Sequence, residues 1–214
     1  MKIKVCGLRD AENIKEVLAL EPDCIGLIRY ERSPRYISNL DEAGLSELVE
    51  TILKTGVFVD EDAENIQQLI DEHGLNAIQL HGNESADFAA AFKNKVVVLK
   101  AFGVGENFDF EQLKNYVGKV DFFLFDTKTV AHGGSGDTFD WSILNGYNLE
   151  VPFFLSGGLS VDNLHEIEKI KNPRFYGVDL NSRFETSPGM KDIDKLKKAF
   201  AIIKQYTTNN EIRS

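Results

Sequence analysis

Cys6 and Asp126 each close a short run of largely apolar residues, KIKVC and DFFLFD, and each can carry a proton. A carboxylate behind four large apolar residues is costly to bury unless it is paired, hydrogen-bonded or functional. Asp126 therefore reads either as a working acid or as a cap on the next turn. Cys6, just before Gly7, reads either as a small buried hydrophobe or as a reactive thiol at the end of a strand. Asp179 raises the same question as Asp126, with polar residues following at once. Gln79 and His81, in IQLHGNE, suit binding more than catalysis, with a structural histidine as the alternative. Arg35 follows a stiffening proline in SPRY, and its planar fork fits a carboxylate unless it is simply solvated. In SGGLS, Gly157 and Gly158 would turn backbone N–H groups toward an anion if a helix opens at Val161. GVDLNSRFETSPG supplies Asn181, Ser182 and Arg183. HGGSG, with Gly134 and Ser135, is either a linker or a loop whose backbone comes close to a ligand.

What could position these groups is a repeated unit. Eight strand candidates run along the chain at 2–6, 24–28, 55–59, 76–80, 96–101, 121–126, 152–156 and 175–180. Between them lie segments with apolar residues at helical spacing, such as Ile14, Val17 and Leu18, or Ile66, Leu69 and Ile70. DIDKLKKAFAIIKQY reads as a clear amphipathic helix. Alternating strands and helices imply parallel strands with right-handed crossovers, and eight such units close into a single-domain (β/α)8 TIM barrel. Its active site lies at the C-terminal ends of the strands, where Cys6 and Asp126 stand. Loops after the seventh and eighth strands often bind phosphate there, which strengthens the reading of Gly157 and Gly158. Cys24 begins its strand while Cys6 ends its own, which predicts sulfurs roughly 13 Å apart at opposite ends of the barrel and no disulfide. The expected domain is 1–206, with a frayed tail at 207–214.

The 214 residues are enough for one such domain, with 43% hydrophobic and 27% charged residues. A net charge of -10, with the basic residues scattered among acids, argues against nucleic acid or an anionic membrane as partner. The N-terminus meets charge too soon for a signal peptide, so the cytoplasm is the expected compartment. Two cysteines outside any C-x-x-C pair give no support to a zinc or redox site.

Taken in order, KVCGLRD, SPRY, GVFVD, IQLHGNE, FDTKT followed by GGSGDTFDW, LSGGLSVDN, and GVDLNS followed by ETSPGMKD resemble the phosphoribosylanthranilate isomerases of tryptophan biosynthesis. The resemblance runs from the first strand to the last helix. It implies a cofactor-free and metal-free Amadori rearrangement of N-(5-phosphoribosyl)anthranilate to 1-(o-carboxyphenylamino)-1-deoxyribulose 5-phosphate. Asp126 would then be the acid that opens the furanose ring and Cys6 the base that takes the proton from sugar C2. Arg35 would meet the anthranilate carboxylate, and Gly157, Gly158, Asn181 and Ser182 would cradle the phosphate. Gln79, His81 and Asp179 would contact substrate, and the loop with Gly134 and Ser135 would fold over it. Relatives tend to carry glycine at position 183, so Arg183 either reaches the phosphate, with backbone strain if that position is left-handed, or points to solvent. The partner is a phosphorylated small molecule, and the protein is a monomer or homodimer. Two other readings are the related isomerase of histidine synthesis, which resembles a two-aspartate design with aspartate at the position of Cys6, and a barrel that binds a phosphorylated ligand without catalysis.

Overall fold

The computed structural model describes residues 1–40, 51–127 and 140–211. Period-2 alternation of side chains shapes its centre. On β1 (Lys2–Cys6), Ile3 and Val5 point outward into the large apolar core, while Lys4 and Cys6 point into the barrel. The same alternation recurs on β2 (Cys24–Ile28), β3 (Leu53–Phe58), β4 (Ala77–Leu80), β5 (Val97–Val104), β6 (Phe122–Thr127), β7 (Phe153–Ser156) and β8 (Phe175–Leu180). These eight parallel strands pair in sequence order and close where Lys4 lies opposite Asp179. The fold is a (β/α)8 barrel, as the repeated unit predicts.

Inside, Ala77, Leu99, Ala101, Leu124 and Phe154 form a separate apolar cluster. Two residues further along their strands, Gln79, Asp126 and Ser156 replace Ala77, Leu124 and Phe154. The interior thus changes from apolar to polar toward the C-terminal ends, which is where a site can hold charge.

The outer layer is less uniform than the sequence suggests. Helices α1 (Ala11–Leu18), α2 (Ala63–His73), α3 (Ala86–Ala90) and α4 (Ile193–Glu211) are α-helical, with Asp10 and Ser85 capping α1 and α3. Among the described residues, the crossovers after β5, β6 and β7 carry only 3₁₀ helices, Phe110–Tyr116, Trp141–Gly146 and Leu164–Lys169. Runs of six or seven residues gain more length per residue as 3₁₀ than as α-helix, about 2.0 against 1.5 Å. Tyr147 packs edge-on against Phe110, Phe123, Phe125 and Phe153 and joins this side of the outer layer to the barrel. The last helix runs from Ile193 to Glu211.

Strand register corrects the cysteine geometry. Lys4, not Cys6, lies opposite Cys24, and Cys6 lies opposite Gly26. The two cysteines are offset by two residues along neighbouring strands, so their Cα atoms are roughly 8 Å apart, not at opposite ends. That still exceeds disulfide reach, and both thiols are free and buried.

Candidate active site

A cavity of about 190 Å³ opens at the C-terminal ends of the strands and brings Cys6 and Asp126 to one space. Gln79, His81, Ser156 and Asp179 share its wall. A larger cavity of about 570 Å³ lies at the other end of the barrel, around Met1, Lys2 and Tyr176. Neither of the proton-carrying strand-end residues faces it, so the smaller cavity is the chemical one.

Cys6 is held by its neighbours on every side. Gly26, across from it on β2, leaves the room its sulfur needs, since a Cβ there would sit 2.5 Å from Cys6 Sγ. Burial pushes the thiol up from its ordinary range, opposed first by the ammonium of Lys4 and then by that of Lys191. Lys4 is fully buried and donates to Asp179 Oδ2 at 3.0 Å. Burial weakens its hold on the proton, but the neighbouring Asp179 carboxylate outweighs that and keeps Lys4 charged. The second oxygen of Asp179, Oδ1, is buried without a hydrogen bond among the described residues. Cys24, hydrogen-bonded to Thr55, is pushed up by burial to about 12 and is inert packing.

On the opposite wall, His81 Nε2 lies 3.5 Å from Asp126 Oδ2. Gln79 Nε2 stands 2.8 Å from His81 Nδ1. An amide nitrogen can only donate, so Nδ1 accepts and Nε2 carries the hydrogen that faces Asp126. Gln79 Oε1 is buried without a partner and sits in the same wall.

At the rim, the Nε and Nη2 edge of Arg35 grips Glu185, with contacts of 2.7 to 3.0 Å. Its fork is therefore partly occupied, and the Nη1 edge is the one without a hydrogen bond among the described residues. Lys191, with no exposed side-chain surface, bridges Glu185 at 2.8 Å and Asn181 Oδ1 at 3.0 Å. Gly7, at φ +78°, packs beneath both Arg35 and Asn181. Gly157 and Gly158 adopt φ of +85° and +68°, and Asn163 fixes the loop by donating to the Gly158 carbonyl at 2.9 Å. With Asn181 and Ser182 they line the same cavity.

Two expectations need correcting. No α-helix opens at Val161; a 3₁₀ helix of six residues begins at Leu164, so any anion here meets loop amides and not a helix terminus. Arg183 sits in the 3₁₀ turn Ser182–Phe184, has no left-handed backbone, is exposed and does not line the cavity. Gly134 and Ser135 lie outside the described residues. Sequence reasoning also missed Lys4, Glu185 and Lys191. A signal for the first existed: in KIKVC the lysine at position 4 shares the inward parity of Cys6.

The chain matches the family model for N-(5'phosphoribosyl)anthranilate (PRA) isomerase over residues 3–201. It is 47% identical to the N-(5'-phosphoribosyl)anthranilate isomerase of Parabacteroides distasonis, across 92% of this chain and 90% of that one. The crystal structure of phosphoribosyl anthranilate isomerase from Thermotoga maritima superposes with a TM-score of 0.84 at 34% identity, covering 96% of this chain and 99% of the other. A crystal structure of such an isomerase in complex with reduced 1-(o-carboxyphenylamino)-1-deoxyribulose 5-phosphate gives 0.81 at 30% identity, with 96% and 99% covered.

Proposed function

The chain belongs to the N-(5'-phosphoribosyl)anthranilate isomerase family, and we propose that Asp126 and Cys6 are the acid and base of its reaction. That reaction is the isomerisation of N-(5-phosphoribosyl)anthranilate to 1-(o-carboxyphenylamino)-1-deoxyribulose 5-phosphate, a step of tryptophan biosynthesis. Asp126 gives a proton to the furanose ring oxygen, the C1–O bond breaks, and the nitrogen lone pair forms an iminium. The iminium acidifies the C2 hydrogen, and Cys6 removes it. The C2–H electron pair becomes a C1=C2 enamine, which tautomerises to the ketose. His81 then donates to the carboxylate that Asp126 has become, with Gln79 holding the ring in that tautomer. Arg35 offers its Nη1 edge to the anthranilate carboxylate, while Gly157, Gly158, Asn181 and Ser182 receive the phosphate. The unpartnered oxygens of Gln79 and Asp179 suit the sugar hydroxyls, since a buried acceptor gains most from a donor brought by the ligand.

One observation carries this assignment: a proton-carrying thiol and carboxylate from β1 and β6 face one cavity whose rim holds the glycine amides and Arg35. The test follows the fluorescence decay of freshly made substrate. Cys6→Ser and Asp126→Asn are each expected to lower kcat by about 100-fold or more with folding retained. Near-normal turnover in either variant overturns its role, and no acceleration by the unaltered protein favours binding without catalysis.

A further inference from the structure

A buried thiol is a poor base, because a thiolate without a neighbouring cation loses far more solvation than it regains. Cys6 is 3% exposed, so something inside the barrel must make its ionised form accessible. From the geometry we infer that Lys4 is the positioning residue of the base: its ammonium, held by Asp179 on the inward face that Lys4 shares with Cys6, stabilises the thiolate that accepts the proton from C2. The inference rests on Cys6 being the base.

Three observations support it. Lys4 and Cys6 share the inward face of β1 two residues apart, and a lysine stem can reach up that spacing of about 6.6 Å. Lys4 is wholly buried with Asp179 as its hydrogen-bonded partner across the closing seam of the barrel, so its charge cannot escape to solvent. A buried ion pair stabilises a fold no better than apolar residues of the same volume would. The neighbouring interior positions are filled with Ala77, Leu99, Ala101, Leu124 and Phe154, so an apolar alternative fits this barrel. The charged and titratable groups facing Cys6 are Lys4 on its own strand, Asp179 on β8 and Lys191 on the short strand Met190–Lys191, with Cys24 on neighbouring β2. Of these Lys4 and Lys191 favour the thiolate, and Lys4 is the stronger; Asp179 opposes it. The step balances within the site: the C2–H bond breaks, its electrons neutralise the iminium, and the proton moves to sulfur.

The experiment reads the sulfur directly. In a Cys24→Ser background Cys6 is the single cysteine, and its ionisation is followed by thiolate absorbance and by the pH dependence of iodoacetamide alkylation. Lys4→Met is expected to raise the midpoint by about one pH unit or more, a tenfold loss of thiolate at fixed pH. The acidic limb of kcat/KM should move the same way, with Lys4→Arg restoring most of it. Asp179→Asn should move the midpoint downward, because it removes the negative charge that opposes the thiolate, and the thiolate itself then keeps Lys4 charged. Opposite signs at the two partners are not what a merely structural pair produces. If Lys4→Met fails to fold because Asp179 is stranded, the double variant Lys4→Met with Asp179→Asn removes both charges and should still titrate above the parent. Midpoints unchanged in the single and double variants overturn the inference. Because alkylation does not depend on turnover, an active Cys6→Ser variant would instead overturn the base assignment on which it rests.

Discussion

An arginine whose Nε edge is held by a carboxylate can still present its other edge to a second one, and it does so from a fixed orientation. Arg35 is in that position, because Glu185 is itself held by Lys191 and by the Gly189 N–H. Preorganisation of this kind removes the entropy of ordering a long side chain on binding. Arg35→Ala is expected to lower kcat/KM by about 10- to 100-fold, the loss of one charge-assisted bidentate contact. Arg35→Lys should rescue little, since an ammonium cannot serve both carboxylates in a planar fork. Competitive inhibition constants checked with analogues that have and lack the anthranilate carboxylate decide the point: equal losses for both mean the contact is elsewhere. Arg183 gives the contrasting case. With its side chain exposed and its backbone unstrained, Arg183→Gly should leave KM and inhibition by inorganic phosphate within about two-fold, as surface changes usually do. A clear rise in KM would bring Arg183 back to the phosphate. Position spoke for Cys6 and Asp126 because a strand end is visible in local sequence. The partners of Lys4 and Arg35 lie 175 and 150 residues away, and nothing local encodes such a pairing.

Strands were more legible than helices for a physical reason. A parallel strand covered on its outer face and packed inside must be apolar almost throughout, and the eight runs so identified match the eight strands within a few residues at each end. The 3₁₀ segments have no such signature, since six or seven residues span too few turns to reveal a period. Glycines between elements carried a signal that only the structure decodes. Gly7 joins β1 to the loop before α1 at φ +78°, where an added Cβ would lie 2.7 Å from Arg35 Cδ and 2.7 Å from Asn181 Oδ1. Gly7→Ala therefore strains the backbone by about 1 kcal/mol and displaces two groups proposed for the opposite ends of the substrate. The expected outcome is a modest fall in melting temperature and a KM raised more than kcat is lowered. A variant that loses stability but keeps its KM would mean that the strand-to-loop junction does not set the rim.

Across the whole molecule the surface is acidic, with a net charge of -10, yet the deeply buried charges among the described residues come as lysine–carboxylate pairs. Lys4 meets Asp179 at the closing seam, Lys100 on β5 meets Glu84 in the loop after β4, and Lys191 meets Glu185 at the rim. Removing one partner of such a pair costs about 3–5 kcal/mol, because the other is left charged and desolvated. Of these carboxylates Glu185 is expected to weaken the barrel in acid. Burial pushes its carboxyl up, but hydrogen bonds from Arg35 and Lys191, the Lys191 charge and the Gly189 N–H outweigh this and hold it below the usual carboxylate range. In the unfolded chain the same carboxyl has its ordinary value near about 4.3. On acidification the unfolded state therefore takes up the proton first. The stabilisation by Glu185 is complete above that ordinary value and is lost as pH falls through the lower, folded one. Glu185→Gln removes the charge at every pH while keeping the shape. Its urea midpoint should lie below that of the unaltered protein near neutral pH, and the gap should close in strong acid, where a protonated glutamic acid and a glutamine are nearly the same group. A gap that persists undiminished into strong acid would mean that Glu185 stabilises the rim by shape and hydrogen bonding alone, without the charge that the arrangement of Arg35 and Lys191 requires.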